Sequence, residues 1–323
     1  MIEFNNISKN YGLTKALNDV SFSVKKGEII GFVGPNGAGK TTAMKIITTY
    51  TAPSAGTARV GNYDVQKNPL EVRDLIGYLP ESVPLYDEML VSEYLEFIGN
   101  ARHLNGNLKK RFDWVVQACG LETMLNRKIG FLSKGFRQRT CLAQALIHDP
   151  EVLILDEPTS GLDPIQIISI RNMIKELAHE KTIILSTHIL PEVSNISDRI
   201  LVINKGKLVA DGTFQELIQQ VSIHSSIYLA VKTSKKDFEN GIRNIPEIKD
   251  ITFDHATKRG VTGAHLYYSG KIDMIKKLNE VIQNNKWEVI EFHPEKLSLE
   301  NTFIRLTQSN EPEKQAETGG KKL

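Results

Sequence analysis

The N-terminal part of the chain alternates short apolar stretches with turn-forming residues. Strand-like patterns, either alternating or continuously apolar, occur at residues 2–7, 20–24, 28–33 and 57–60. The third stretch has the continuous apolar character of a strand that is buried on both faces. It leads into a glycine-rich segment, after which residues 41–49 have helical spacing. We therefore predict a β-rich N-terminal region that contains one strand–loop–helix unit.

The middle of the chain has a different period. Residues 87–148 are predicted to be mostly helical, because apolar residues recur at spacings of three and four from Leu90 onwards. Two buried strands then enclose a helix, at residues 152–155, 164–180 and 182–186. This alternation predicts a parallel sheet. A hairpin is predicted across Lys205 and Gly206.

The C-terminal part has another order of elements. Strand and helix patterns follow one another as β-α-β-β-α-β, the ferredoxin-like order, at residues 226–232, 235–245, 248–254, 264–269, 271–284 and 287–292. A last helix is predicted at 299–306, and the polar residues 309–323 are predicted to be disordered. We thus predict a domain at 1–220, with a helical subdomain at about 87–148, and an accessory α+β domain at 221–308.

Composition narrows the class of protein. The 323 residues are 41% hydrophobic and 24% charged, which is typical of a globular protein. The net charge of +2 provides no field for nonspecific nucleic-acid binding, so no nucleic-acid partner is expected. Cys119 and Cys141 have no partner motif. We expect buried thiols in a reducing cytosol rather than a disulfide or a metal pair.

The sequence shows no segment that would enter a membrane. The first residues lack the basic, apolar and small-residue order of a secretion signal. No run reaches the ~18 apolar residues that a membrane span needs. If the protein acts at a membrane, we expect another chain to supply the spanning part.

The glycine-rich segment has the form of a phosphate-binding loop, reading Gly34, Pro35, Asn36, Gly37, Ala38, Gly39, Lys40, Thr41, Thr42. Its glycines allow backbone N–H groups to surround phosphate oxygens, and the helix N-terminus adds partial positive charge. We expect Lys40 to reach the β- and γ-phosphates, Thr41 to ligate Mg²⁺ and Thr42 to contact the α-phosphate side. The alternative is a glycine-rich turn without a ligand.

Two carboxylates follow the predicted strand at 152–155. Asp156 and Glu157 stand where ligands bind in open α/β sheets, at the C-terminal end of a strand. We expect Asp156 to hold Mg²⁺ through water and Glu157 to polarise the attacking water. The alternative is that both carboxylates only cap the turn before Pro158.

Further motifs occur in a fixed order with these two: Gly77-Tyr78-Leu79-Pro80-Glu81, Leu132-Ser133-Lys134-Gly135-Phe136, Ser160-Gly161-Leu162-Asp163 and Ser186-Thr187-His188. The whole set, over roughly residues 1–220, resembles the ATP-binding cassette (ABC) ATPases, the nucleotide-hydrolysing subunits of membrane transporters. The resemblance implies an α/β P-loop NTPase fold with a RecA-like core, an N-terminal antiparallel β subdomain and an α-helical insert.

The resemblance also implies roles for two loop residues. His188 would hold the γ-phosphate and the water, so that catalysis falls to Lys40, Glu157 and His188. Glu81 stands where the family usually has glutamine. It would offer an oxygen to Mg²⁺ and couple the nucleotide to the membrane subunit, with an extra negative charge beside the γ-phosphate. The alternatives are an ordinary loop histidine and a solvated loop glutamate.

Other residues would complete the ATP site from a second protomer. Ser133 and Gly135 match the family's contacts to the γ-phosphate that the opposite protomer binds, and Asp163 would cross the interface. Tyr11 is placed like the family's aromatic residue that stacks on adenine. Alternatively, Ser133 is an ordinary helix N-cap and Tyr11 is a surface residue. Asp163 also suits an N-cap, which is compatible with a role at the interface.

The implied partners are ATP with Mg²⁺, a second copy of the chain in a head-to-tail dimer, and a separate transmembrane permease subunit. The protein would then be cytoplasmic and peripheral on the inner face of the cell membrane. The face around Glu81 is expected to dock the permease through Pro84, Leu85, Tyr86 and Leu90. The alternative is that these four residues pack the core of the helical insert.

The motif variants resemble one branch of the family, which includes drug and sodium exporters and a gliding-motility ATPase. We expect an export-type complex, with gliding motility as a narrower hypothesis, and a C-terminal domain that helps to dimerise or regulate. A translation or DNA-repair ABC protein is one alternative, although the chain has a single motif set and no heptad stretch. A regulatory nucleotide-binding module is another, against which Glu157 and His188 argue.

Overall fold

The computed structural model describes residues 1–82, 85–104, 106–221, 225–254, 260–268 and 273–295. The chain divides into two compact units, Met1–Phe214 and Gln215–Leu323. The strands of the first unit are β1 Ile2–Tyr11, β2 Thr14–Val24, β3 Ile29–Val33, β4 Ala55–Val60, β5 Tyr63–Asp64, β6 Ile76–Leu79, β7 Val152–Asp156, β8 Thr182–Thr187, β9 Arg199–Asn204 and β10 Lys207–Gly212. Its helices are α1 Lys40–Ile47, α2 Pro69–Leu75, α3 Val91–Ala101, α4 Leu108–Cys119, α5 Lys134–Leu146, α6 Pro164–Ala178 and α7 Leu190–Val193.

These strands form two sheets. One is antiparallel with the order β2-β1-β4-β5. The other has the order β10-β9-β3-β8-β7-β6, and only its β9–β10 edge pair is antiparallel. All residues of β3, β7 and β8 are buried, as their continuous apolar sequences predict. The predicted α/β fold with a parallel sheet and an antiparallel β subdomain is confirmed.

Helix α1 belongs to the core that the two sheets share. Its buried side chains Met44, Ile46 and Ile47 belong to the same cluster as residues of β1 and β3. Phe22 of β2 stacks on Phe4, with ring centroids 4.9 Å apart, and reaches Phe32 of β3 at 5.7 Å. Because α1 is anchored on both sides, the loop that precedes it has a fixed position.

Strand β1 differs from the prediction. It extends to Tyr11, beyond the predicted strand at 2–7, and pairs with β2 along its whole length. Register shifts after Phe4 and after Ile7 break the alternation of apolar side chains while the pairing continues. The apolar pattern therefore ends earlier than the strand.

The predicted helical insert contains α3, α4 and α5, with short 3₁₀ turns at Glu122–Met124 and Ile129–Phe131. Cys119 and Cys141 lie in it and are fully buried, as predicted. Burial raises the pKa of both thiols to about 12. Both side chains are therefore unreactive packing groups.

His148, just after α5, makes the stability of this unit dependent on pH. Burial, with Arg102 nearby, lowers the pKa of His148 from 6.5 to about 4. Its Nε2 lies 3.0 Å from the carbonyl oxygen of Ile76, and its buried Nδ1 has no hydrogen-bond partner. Protonation is therefore easier in the unfolded chain, so this contribution is complete above pH 6.5 and decreases as the pH falls towards 4.

We expect this histidine to reduce the free energy of unfolding by up to about 3 kcal/mol between pH 6.5 and pH 4. Urea unfolding of the wild type and His148→Gln across this range measures it. The variant keeps a donor for Ile76 but no titrating group, so its stability should decrease less with acidification. Parallel curves for the two proteins would contradict this interpretation.

Helix α8, Phe214–Val221, begins at the last residue of the first unit and continues into the second. The second unit then contains β11 Ser225–Lys232, α9 Lys235–Ile242, β12 Ile248–Phe253, β13 Thr262–Tyr268, α10 Met274–Asn284 and β14 Glu288–Glu295. Its sheet has the order β12-β13-β11-β14 and is antiparallel throughout. From β11 to β14 the elements follow the predicted β-α-β-β-α-β order. Phe238 of α9 packs in the core and stacks on Trp287, with centroids 5.5 Å apart. The predicted helix 299–306 and the tail 309–323 lie outside the described residues.

Candidate functional site

The candidate site lies at the carboxyl ends of three adjacent strands. Strand β8 pairs with β3 on one side and β7 on the other, and their ends meet at Val33–Thr187 and Asp156–Ser186. The chain leaves these strands at Gly34, Glu157 and His188. The parallel sheet therefore brings together segments that are far apart in sequence.

The glycine-rich loop needs its glycines for steric reasons. Gly37 and Gly39 have φ angles of +78° and +112°, which side chains disfavour. A Cβ on Gly39 would lie 2.6 Å from the carbonyl oxygen of Ala16, and one on Gly34 would lie 2.4 Å from that of Ile203. The backbone of the loop therefore packs directly against neighbouring backbone.

Lys40, at the start of α1, is the central cation of the site. Its side chain is only 6% exposed. The Nζ atom donates to the carbonyl oxygens of Gly34 at 2.8 Å and Pro35 at 3.4 Å. It also lies 3.2 Å from Oε1 of Glu157. A buried ammonium needs such partners, and this arrangement holds it beside the loop.

Glu157 is held between a lysine and a histidine. Its Oε2 lies 2.9 Å from Nδ1 of His188, opposite the Lys40 contact. Its backbone has a φ of +51°, and its N–H contacts the carbonyl and hydroxyl oxygens of Ser186 at 3.2 and 3.1 Å. These contacts hold a backbone conformation that is uncommon outside glycine. The carboxylate is therefore positioned by backbone and side chain together.

Asp156 has the properties of a cation ligand. It is fully buried, and its Oδ1 accepts from the Ser186 hydroxyl at 2.5 Å. Burial raises the pKa of Asp156, while hydrogen bonds from Ser186 and Thr41 lower it. Its Oδ2 is buried without a hydrogen-bond partner. A buried, unsatisfied carboxylate oxygen beside the Thr41 hydroxyl is an arrangement of hard oxygen donors that suits a divalent cation.

A cavity of about 430 Å³ opens beside the loop. The predicted residues that line it are Asn36, Gly37, Ala38, Gly39, Lys40, Thr41, Thr42, Glu81 and Glu157. Gly34 and Pro35 contribute their carbonyls to Lys40 instead. The structure thus gathers the predicted phosphate-binding and water-activating residues around one space, with His188 attached through Glu157.

Four other predicted residues do not line this cavity. Ser133 and Asp163 are both exposed and occupy N-cap positions, where they accept from Phe136 and Gln166 N–H at 3.4 and 2.9 Å. Gly135 is buried in α5. Tyr11 is 48% exposed at the end of β1, with Lys9 Nζ 5.1 Å from its ring centroid. Within one chain, these four residues therefore do not contribute to the cavity beside the phosphate loop.

Sequence reasoning missed some of the cavity's lining. Thr14, Lys15 and Ala16 come from the start of β2, and Lys205 comes from the β9–β10 turn. The backbone N–H of Gly206 donates to Ala38 at 2.9 Å, which holds this turn against the loop. The sequence did predict a hairpin with a turn at Lys205 and Gly206. That this turn lies beside the phosphate loop follows only from the tertiary structure.

Fold and site together define a P-loop nucleotide-binding protein. The ABC transporter family model matches residues 17–160. The chain is 39% identical over 210 residues to the ABC transporter ATP-binding protein NatA of Bacillus subtilis, covering 64% of this chain and 85% of that protein. It is 32% identical over 310 residues to the bacitracin transport ATP-binding protein BcrA of Bacillus licheniformis, covering 95% and 97%.

A solved structure gives the same result for the fold. A dimeric ATP-binding cassette in a post-hydrolysis state, bound to ADP and Pi, superposes with a TM-score of 0.61 at 25% identity, covering 66% of this chain and 98% of that one. The chain belongs to the ATP-binding proteins of ABC transporters, and it is an ATPase. Among the described residues, none of the helices combines the length and the hydropathy that a membrane-spanning segment needs.

Proposed function

We propose that this chain hydrolyses ATP to drive the membrane-spanning partner of an export-type transporter, from the cytoplasmic side of the membrane. Support comes from relatives that are named for bacitracin transport and linearmycin resistance, which cover 95% and 82% of this chain. The observation that carries the proposal is the Lys40–Glu157–His188 cluster at the phosphate loop. The gliding-motility hypothesis stays a prediction.

The cluster suggests how binding leads to chemistry. The β- and γ-phosphates would compete with Glu157, whose Oε1 lies 3.2 Å from the Lys40 ammonium, because they too are anions. Glu157 is then free to accept a proton from the attacking water, while His188 keeps it oriented at Oε2. Phosphoryl transfer depends mainly on positioning and on neutralising charge, which these residues and the loop N–H groups supply.

Mg²⁺ is the proposed metal, and the residues present fit it. Thr41 and Asp156 supply hard oxygens, and Glu81 lines the same cavity as Thr41. When bound, Mg²⁺ neutralises charge on the phosphates. The described residues contain no group of three or more His, Cys, Asp or Glu that could hold a metal by themselves. This suits Mg²⁺, which takes one or two protein oxygens together with phosphates and water.

The second half of the site is proposed to come from another copy of the chain. Ser133 is exposed at the N-terminus of α5 and does not line its own chain's cavity. A helix N-terminus with a hydroxyl suits a phosphate. In a head-to-tail dimer, Ser133 and Gly135 would face the partner's γ-phosphate and Asp163 would cross the interface. The dimeric form of a solved relative supports this arrangement.

Mixing two inactive variants tests the shared site. Lys40→Met disables the half of the site that contains the phosphate loop. Ser133→Glu places a negative charge opposite the γ-phosphate. Each variant alone should be nearly inactive, because both sites of its dimer are defective. A 1:1 mixture should recover up to roughly a quarter of wild-type turnover, because half of the dimers are mixed and each contains one intact site.

The matched control mixes Lys40→Met with Glu157→Gln. Both changes lie in the same half of the site, so every site in a mixed dimer stays defective and no recovery is expected. If the first mixture is no more active than its components, or if Ser133→Glu alone keeps wild-type turnover, the shared site is wrong.

Tyr11 is proposed to stack on adenine from the end of β1. Because stacking contributes about 1 kcal/mol, Tyr11→Ala should weaken ATP binding about fivefold without abolishing it. Calorimetric titration with ATP measures the Kd. Tyr63→Ala, at another partly exposed tyrosine, serves as the control. An unchanged Kd for Tyr11→Ala would place the adenine elsewhere.

The permease is proposed to dock beside Glu81. Of the predicted docking residues, Tyr86 is 57% exposed and packs edge-on against Tyr94 and Phe97 of α3. Leu85 and Leu90 are half-buried, and Pro84 lies outside the described residues. Tyr86 thus contacts the core of the insert and is also exposed. It therefore fits both alternatives, docking of the permease and packing of the insert. The second unit is proposed to assist dimerisation or regulation.

A further inference from the structure

A buried glutamate lies near the site but takes no part in the mechanism above. Glu192, in α7, is 5% exposed. Its Oε2 accepts hydrogen bonds from the hydroxyls of Thr159 at 2.7 Å and Thr187 at 2.8 Å. Thr159 and Thr187 are 7% and 0% exposed. Within this buried cluster one carboxylate oxygen joins the end of β8 to the loop that follows β7.

The two segments that it joins carry the proposed water-activating pair. Thr187 directly precedes His188, and Thr159 follows Glu157 by two residues. The Thr187 hydroxyl also accepts from the backbone N–H of Ile189 at 3.1 Å, so His188 is bracketed by this cluster. Glu192 therefore constrains the chain on both sides of the Glu157–His188 contact.

The same segment is held from the opposite direction. Gln138 of α5, 6% exposed, donates from Nε2 to the carbonyl oxygen of Pro158 at 3.1 Å. Helix α5 begins next to Ser133, and the segment after Thr159 leads to Asp163. Pro158 and Thr159, which are held by Gln138 and Glu192, thus lie between two parts of the site. One part contains the phosphate loop, and the other would face a partner.

Stability alone does not account for a carboxylate here. Burying a carboxylate is costly even when it is hydrogen-bonded, and an apolar side chain of similar volume is often at least as stable. A fully satisfied polar cluster instead specifies one geometry for the segments that it joins. The geometry that this cluster specifies is the relative position of Glu157 and His188.

We propose that Glu192 is a positioning residue for ATP hydrolysis, acting through Thr159 and Thr187 on Glu157 and His188. The proposal rests on the roles proposed above for those two residues. Without the bridge, the two segments separate slightly and the Glu157 carboxylate leaves its productive position. Misplacement of about 1 Å costs about 10²-fold in rate, while ATP binding at the phosphate loop is unaffected.

Steady-state ATP turnover of the full chain tests this with two substitutions of similar size. Glu192→Met removes the acceptor and should lower kcat by about 10²-fold with KM unchanged within about twofold. Glu192→Gln keeps a carbonyl oxygen that can accept both hydroxyls, so its kcat should stay near that of the wild type. A defect confined to folding would instead lower the fraction of protein that binds ATP, which titration measures separately.

A double-mutant cycle isolates the bridge. Thr159→Val and Thr187→Val should each lower kcat, and the double variant should be little worse than either, because each removes one side of the same link. Serine at either position keeps the hydroxyl, so Thr159→Ser and Thr187→Ser should keep the kcat near that of the wild type. Thr182→Val is the control, since the hydroxyl of this buried threonine lies at the other end of β8, where it accepts from the Gly27 N–H at 3.0 Å. It should lower stability but not kcat.

Two results would overturn the proposal: wild-type kcat for Glu192→Met, or equal losses for its Gln and Met variants. Glu157→Gln in the same assay separates the two levels of inference. If Glu157→Gln is inactive while Glu192→Met turns over normally, only the positioning role fails. If Glu157→Gln itself keeps full turnover, the proposed assignment of the catalytic base fails.

Discussion

Replacing Glu157 with glutamine is expected to lower ATP turnover by ~10²-fold or more while ATP binding is kept. The carboxylate is the best-placed proton acceptor in the site, fixed by Lys40 and His188 at 3.2 and 2.9 Å. Glutamine preserves the shape but cannot take the proton. Since the γ-phosphate is then cleaved slowly, ATP-bound dimers should accumulate. Steady-state turnover and size-exclusion chromatography with ATP and Mg²⁺ measure both effects.

A matched control lies at the other end of the same strand. Glu151 precedes β7, and its exposed carboxylate pairs with Lys26 at 3.0 Å, far from the loop. Glu151→Gln should leave turnover unchanged. Monomers alone at saturating ATP and Mg²⁺ would count against the dimer, whereas unchanged turnover of Glu157→Gln would assign the proton acceptor to another group.

Lys40→Met is expected to weaken ATP binding by about 3 kcal/mol or more, which is ~10²-fold or more in Kd. The ammonium is buried beside the loop and is the cation that the phosphates would displace from Glu157. Methionine fills similar volume without charge. Binding loses the charge-assisted hydrogen bonds, and the remaining Glu157 carboxylate repels the phosphates. Calorimetric titration with ATP measures the change.

Lys45→Met is the control on the same helix. Lys45 lies more than one turn further along α1, where its Nζ is 5.6 Å from the ring centroid of Tyr50 rather than in the cavity. Its loss should leave the Kd within about twofold, since its half-buried ammonium does not line the cavity. An equal increase in Kd for Lys40→Met and Lys45→Met would indicate a general charge effect. An unchanged Kd for Lys40→Met would show that Lys40 does not bind the phosphates.

The phosphate loop could be predicted because its geometry is local. A buried strand, positive-φ glycines at Gly37 and Gly39, and a helix starting at Lys40 are consecutive in sequence. The same holds for Asp156, the last residue of β7, and Glu157, which come directly after an unbroken apolar run. Short-range sterics and hydrophobic periodicity determine such units, so no knowledge of distant contacts is needed.

Secondary structure was harder to predict where strand pairing, rather than a local hydrophobic pattern, defines the element. Strand β6, only Ile76–Leu79, is too short for a period and is defined by its parallel partner β7. The bulges of β1 hid its continuation to Tyr11. Ser133 and Asp163 occupy N-cap positions, so the sequence signal for a cap and the one for an interface residue coincide.

By itself, the sequence determined the class of fold, the phosphate loop and the identity of the ionisable groups, because these depend on residues close together in the chain. Only the tertiary structure decided that Lys40 meets Glu157, that Lys205 lines the cavity, and that Glu192 links the end of β8 to the loop after β7. Each of these contacts joins segments that are brought together by strand order in the parallel sheet. That order depends on the packing of the whole unit rather than on any local pattern.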